Sequence, residues 1–168
     1  AISGGALYRN SSFLVDALGK PVFASRVTID ERPHLPKALN SAPFDNEGVE
    51  TTERRLVDGG VLGGYLLGSY YARKLGMQTT GNAGGAHNLV VHDTGQSFAE
   101  LLNMMGTGLV VADLMGSGVN PVTGDYSLGA VGFMVRGGEI AEPVSEITIA
   151  SSLINMFASL EPASDLEF

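Results

Sequence analysis

The chain has no cysteine and no tryptophan in 168 residues. Without cysteine it can hold no disulfide scaffold, no thiolate metal site and no cysteine nucleophile, and the usage points to the cytoplasm. Basic residues are scarce, 10 against 18 acidic ones, for a net charge of −8. With no basic cluster either, the chain is not a nucleic-acid phosphate binder. No apolar run approaches the roughly 18 residues that a membrane span needs, and no signal-peptide pattern opens the chain. Histidines number three, with no His-Glu-x-x-His. His87 and His92 would face opposite sides of a strand and miss the i, i+4 spacing of paired ligands on a helix, while His34 falls in a proline loop. No Gly-x-Ser-x-Gly is present, which excludes a nucleophile elbow. Gly81-Asn-Ala-Gly-Gly85 lacks the Lys-Ser/Thr of a phosphate loop and opens no long helix.

What is abundant is apolar residues, 44%, and glycine, 23 residues. That content supports one ordinary folded domain. Ser11 or Ser12 can cap a helix to Leu18 that stops at Gly19. Val22, Val27 and Ile29 predict a strand over 22–30, and Pro33, Pro36 and Pro43 an extended loop over 32–44. Asp58-Gly59-Gly60 reads as a hairpin turn between arms 49–57 and 61–67. Ser69 can cap a helix over 70–75, stopped by Gly76. Residues 79–87 read as loop and 89–91 as a short strand. Ser97 and Glu100 have capping-box spacing, followed by Phe98, Leu101, Leu102 and Met105 on one helical face. Strands are expected over 109–114, 126–135 and around Ile147 and Ile149, with a turn at Gly137-Gly138. A last helix is capped by Ser151 or Ser152 and runs to about Leu160. The expected fold is a single α+β unit, rich in mainly antiparallel sheet with a few short helices.

The most informative stretch runs from Met105 to Arg136. Six glycines lie between Gly106 and Gly129. That density implies backbone shaped for close approach, to a ligand or to another chain. Within it Gly118, Asn120, Gly124, Asp125 and Tyr126 are the candidate substrate- or partner-binding residues. Asp125 follows a glycine, where aspartate commonly bonds its own turn, and Tyr126 can anchor a partner or pack at the core edge. Asp113, Asp125, Glu139, Glu142 and Glu146 are nearby carboxylates, most of them expected to be solvated. Tyr65, Tyr70 and Tyr71 are read as packing residues.

Several blocks, in order and across nearly the whole chain, resemble the PmbA/TldD family of peptidase-related proteins, and within it the PmbA (TldE) branch. They are Ser3-Gly-Gly-Ala-Leu-Tyr-Arg9 with Ser11-Ser-Phe-Leu14, Pro43-Phe-Asp-Asn-Glu-Gly-Val49, Asp58-Gly-Gly-Val-Leu62 and Ser69-Tyr-Tyr-Ala-Arg-Lys-Leu-Gly76. Thr80-Gly-Asn-Ala-Gly-Gly85, the long glycine run and Pro143-Val-Ser-Glu-Ile-Thr-Ile-Ala150 complete the set. The resemblance implies most of a C-terminal domain, 1–168, with the N-terminal domain and a final stretch absent. The closing Asp165-Leu-Glu-Phe168 shows no terminating element. It also implies a cytoplasmic two-subunit metallopeptidase that trims or degrades peptides, including a microcin precursor and an antitoxin. The divalent metal, zinc, belongs to the TldD-like partner, on a His-Glu-x-x-x-His helix plus a later cysteine. Those positions fall before Ala1 and beyond Phe168, so no catalytic or metal-binding residue carries over to this chain. Its implied share is the subunit interface and a wall of the cavity holding an extended peptide, with a homo-oligomer as a further possibility. The competing expectation is a non-catalytic protein-binding regulator, such as a modulator of DNA gyrase.

Overall fold

The computed structural model describes residues 1–165. The terminal Leu166–Phe168, with their expected lack of a terminating element, lie outside the described residues. Elements follow in the order α1 (Gly4–Tyr8), β1 (Ile29–Glu31), β2 (Arg54–Asp58), β3 (Val61–Leu62), α2 (Ser69–Lys74) and β4 (Leu89–Val91). Then come α3 (Phe98–Met105), β5 (Thr107–Met115), β6 (Asp125–Arg136), β7 (Glu139–Ser152) and α4 (Leu153–Ala158). The strands make a four-stranded sheet, ordered β3-β2-β1-β4, and a three-stranded one, ordered β5-β6-β7. Every strand pairing in both is antiparallel. The fold is therefore α+β, with short helices on antiparallel sheet.

Locally encoded elements form as expected. The turn between β2 and β3 uses Gly59 and Gly60, both at positive φ (54° and 81°). Only that backbone lets a two-residue turn follow the twist of its strands. The capping box is complete: the Ser97 hydroxyl accepts the Glu100 N–H, and the Glu100 carboxylate accepts the Ser97 N–H at 2.7 Å. Ser152 caps α4 by accepting the Asn155 N–H. The loops over 32–44 and 79–87 are present.

Four expectations are corrected. The helix over 11–18 is instead a series of turns, and a helix forms earlier, at α1. Ser12 binds the Leu14 N–H of its own turn, and Asp16 has φ 58°. The buried Tyr65 hydroxyl accepts from Ala17 and Leu18 N–H and donates to the Leu14 carbonyl at 3.0 Å. One side chain 48 residues away thus takes the amides a helix would use. The strand over 22–30 shrinks to β1, because Val22 and Phe23 N–H bind the Gly60 carbonyl and Ala24 N–H binds that of Phe157. The hairpin arms are shorter than 49–57 and 61–67: Gly63 N–H still reaches the Leu56 carbonyl, but farther on the backbone goes to other partners, Leu66 N–H to the Ile2 carbonyl. Finally, α2 is capped by Gly68, with Ser69 inside the helix and its N–H bound by the Glu47 carboxylate.

The core gathers Leu7, Leu14, Val22, Val27, Val57, Leu62, Tyr65 and Leu67 beside the four-stranded sheet. Phe13, Phe23 and Phe157 extend it toward α4, with Phe23 and Phe157 stacked at 4.5 Å between centroids. The three-stranded sheet is much barer. Val111, Leu114, Met115, Phe133 and Ile140 on it are all exposed. Its strands carry bulges. Ser145 and Glu146 of β7 together oppose one residue of β6, between the pairs Ile147–Ala130 and Val144–Gly132, and Glu146 has φ 57°. Pro143 sits on β7, an edge strand, where its missing N–H disturbs no ladder.

Candidate functional site

The five candidate residues come together in one hairpin between β5 and β6. Gly118 accepts the Ser127 N–H, Val119 bridges Tyr126, and Asn120 N–H reaches the Asp125 carbonyl at 2.8 Å. The Asn120 side-chain oxygen accepts from Val122 and Thr123 N–H. Thr123 donates its hydroxyl to Asp125 at 2.5 Å. Asn120 and Asp125 are exposed; Asn120 bonds the backbone of its own turn, while the Asp125 carboxylate takes the Thr123 hydroxyl instead of the turn backbone expected for it. Tyr126 is half-buried on β6.

The glycines approach their own chain. A Cβ on Gly118 would overlap the Ser127 carbonyl oxygen, and one on Gly124 would lie 3.1 Å from the Phe13 ring. Pro121 accepts the Phe13 N–H at 3.0 Å and Gly124 accepts that of Leu153 at 2.7 Å, so the hairpin is fastened to the core and to α4. The free backbone of this region lies instead along β5 and β7. These border the three-stranded sheet and each pair with β6 alone.

Three of the nearby carboxylates are engaged locally. Asp113 accepts the N–H of its neighbour Leu114, Glu142 is ion-paired with Arg136, and Glu146 occupies the β7 bulge. The histidines stay apart: His34 meets Thr51, His87 bonds the Gly81 and Asn40 carbonyls, and His92 meets Asp30 at 2.8 Å. Among the described residues no three His, Cys, Asp or Glu side chains group to hold a metal ion. The donor set here does not fit a metal, and no step through one is assigned to this chain.

Sequence reasoning missed a buried ionic cluster. Glu31 is 1% exposed and bonds Arg54 at 2.8 Å, Asn82 at 2.7 Å and the His87 N–H at 2.9 Å. Arg54 also reaches the Tyr65 carbonyl and Asn82, whose oxygen accepts from Thr80. This cluster shapes the 80–87 loop, so the glycines there serve an internal polar core. The signal available was alternation: Ile29 and Glu31 share a strand face, which puts a carboxylate inward.

Asp45 closes the neighbouring loop by accepting N–H groups from Glu47, Val49 and Ala83 at 2.8–3.0 Å. Burial pushes its carboxyl up, but these three bonds outweigh that and hold it below the ordinary 3.8. A depressed folded-state value stabilises the fold above the unfolded value and is lost as pH falls through the folded one. Urea midpoints should therefore drop as pH falls below about 5, and Asp45→Asn should flatten that part of the acid limb; an unchanged slope would contradict the assignment.

A family model for the PmbA/TldA metallopeptidase C-terminal domain matches residues 1–168. The chain belongs to that family. It is 54% identical to Metalloprotease PmbA of Escherichia coli O157:H7 over 95% of its length, and 56% identical to the Haemophilus influenzae PmbA homolog over 99%. It spans only 36% and 38% of those two proteins. A crystal structure from Bacteroides thetaiotaomicron, named for modulation of DNA gyrase, superposes with TM-score 0.92 at 34% identity. That likeness covers 98% of this chain and 37% of the other. TldE from Thermococcus kodakarensis shares the fold, with TM-score 0.83 at 24% identity over 96% of this chain and 39% of that one. No helix among the described residues is long and apolar enough to cross a membrane.

Proposed function

We infer that the chain is most of the C-terminal domain of a PmbA-type, non-metal subunit in a cytoplasmic two-subunit metallopeptidase. It forms one unit, with the N-terminal domain and final stretch outside it. The complex trims or degrades peptides, such as a microcin precursor or an antitoxin. A TldD-like partner carries the divalent metal, zinc, and supplies the hydrolytic chemistry. This chain gives the subunit contact and a wall of the peptide cavity. The observation carrying the reading is the bare three-stranded sheet with its open-sided β5 and β7, in a chain related to proteins named metalloprotease. An extended peptide can add to such an edge through main-chain bonds. The 118–126 hairpin, anchored to the core, sets the end of that wall, with Asn120, Asp125 and Tyr126 on it.

Substituting Asn120, Asp125 and Tyr126 by alanine in the full-length protein tests this. Peptide turnover by the complex is expected to fall about tenfold or more, the cost of one charge-assisted bond, while sedimentation shows the complex still assembled. Lost assembly would move these residues to the interface, and unchanged turnover would remove them from the cavity. The second reading, a protein-binding regulator, is favoured by the gyrase-modulator name of the Bacteroides structure. It predicts no chelator-sensitive cleavage in any mixture.

A further inference from the structure

A cleft of about 370 Å³ lies away from the hairpin, between α1, α2 and the 83–85 loop. The volume sits at the small end of ligand sites, roughly 300–1,000 Å³. Five of its lining residues are glycines. Gly4 permits α1 and α2 to touch, since a Cβ there would lie 2.6 Å from the Tyr71 Cβ. At Gly5 the Arg9 Nη1 and the Tyr71 hydroxyl both come within 3.3 Å of the point a Cβ would occupy. Two donors thus converge over bare backbone. Tyr71 is held by Tyr70, edge-on at 5.0 Å. On another side Gly85, at φ 121°, leaves open space where a side chain would stand.

Arg26, Arg32, Arg54, Arg55 and Arg136 form ion pairs, whereas among the described residues Arg9, like Arg73, forms none. With 18 acidic residues present, carboxylates are not in short supply. Glu47 also lines the cleft. One of its oxygens, Oε2, accepts the Ser69 N–H at 2.7 Å. Bonds from Ser69 hold its carboxyl below the ordinary value, so it is ionised at neutral pH. The cleft therefore sets a cation and an anchored anion around a small space with hydroxyl donors.

We propose that this cleft binds a short peptide with free ends, its carboxylate on Arg9 and the Tyr71 hydroxyl, and its ammonium on Glu47. The proposal rests on the peptidase reading only for the class of ligand: it adds a site for released fragments apart from the sheet edge. A guanidinium matches a carboxylate bidentately, and an opposite charge lining the same cleft sets the direction of the chain.

Equilibrium dialysis of trialanine against the full-length protein tests it without requiring hydrolysis. Trialanine is expected to bind, and its C-terminal amide about tenfold more weakly, the loss of one charge-assisted bond. Arg9→Gln should weaken trialanine by the same factor yet leave the amide unaffected. N-acetyl-trialanine and Glu47→Gln should behave as the matching pair at the other end. The glutamine amide still accepts the Ser69 N–H, and thermal melts monitor the fold. Absence of trialanine binding, or equal loss for free and blocked peptides in Arg9→Gln, would overturn the proposal. Cleavage by the complex without trialanine binding would sink the cleft alone; binding without cleavage would sink the peptidase reading alone.

Discussion

Glu31→Ala is expected to destabilise the chain by about 3–5 kcal/mol, the usual cost of stripping one partner from a buried ion pair. Glu31 is almost wholly enclosed, and three groups depend on its oxygens: Arg54, Asn82 and the His87 N–H. Alanine leaves the Arg54 charge without its counter-ion and two donors unpaired. Domains are stable by only about 5–15 kcal/mol, so the loss is a large share of the total. Arg54→Met should cost as much, because it strands the carboxylate. Glu31→Ala combined with Arg54→Met should cost clearly less than the two single changes summed, since neither charge is then left alone. Urea unfolding of the three variants measures this; additive losses would show that the pair does not act as a unit.

Gly132→Ala should disrupt the three-stranded sheet. A Cβ at Gly132 would overlap the Val110 carbonyl oxygen on the paired strand and lie 3.1 Å from the Val111 Cα. Backbone cannot swing aside as a side-chain tip can, so β5 must shift or detach. Overpacking of this kind costs about 1–3 kcal/mol, occasionally more. Gly129→Ala is the matched control on the same strand. Its Cβ would meet nothing closer than 3.6 Å, an ordinary contact. Hydrogen exchange should show β5 and β6 amides losing protection in Gly132→Ala and keeping it in Gly129→Ala. Equal protection in both would mean that the sheet accommodates the clash. If β5 and β6 support the peptide wall, Gly132→Ala should also lower turnover by the complex.

How legible each part was depends on the distance between the groups that decide it. The Ser97–Glu100 capping box, the Gly59-Gly60 turn and the Ser152 cap are settled within four residues, and all were readable. The α+β class followed from the same local patterns. The helix over 11–18 was misread because Tyr65, in another part of the chain, takes its amides. The strand over 22–30 shortened because Gly60 and Phe157 claim its N–H groups. At the candidate hairpin, Gly118 to Tyr126 lie within one short stretch of sequence and so fall in one turn. The close approach implied by its glycines is to Ser127 and Phe13 of the same chain. The Glu31 cluster joins residues up to 56 apart, so alternation along β1 turns the carboxylate inward but no window of sequence displays its partners.

The most direct measurement is peptide cleavage by the full-length protein, alone and mixed with a TldD-like partner, with and without chelator. The account predicts cleavage only in the mixture and its loss on chelation. Cleavage by the full-length protein alone would contradict the assignment of this chain to a non-metal subunit, and no cleavage in any mixture would turn the reading toward a protein-binding regulator.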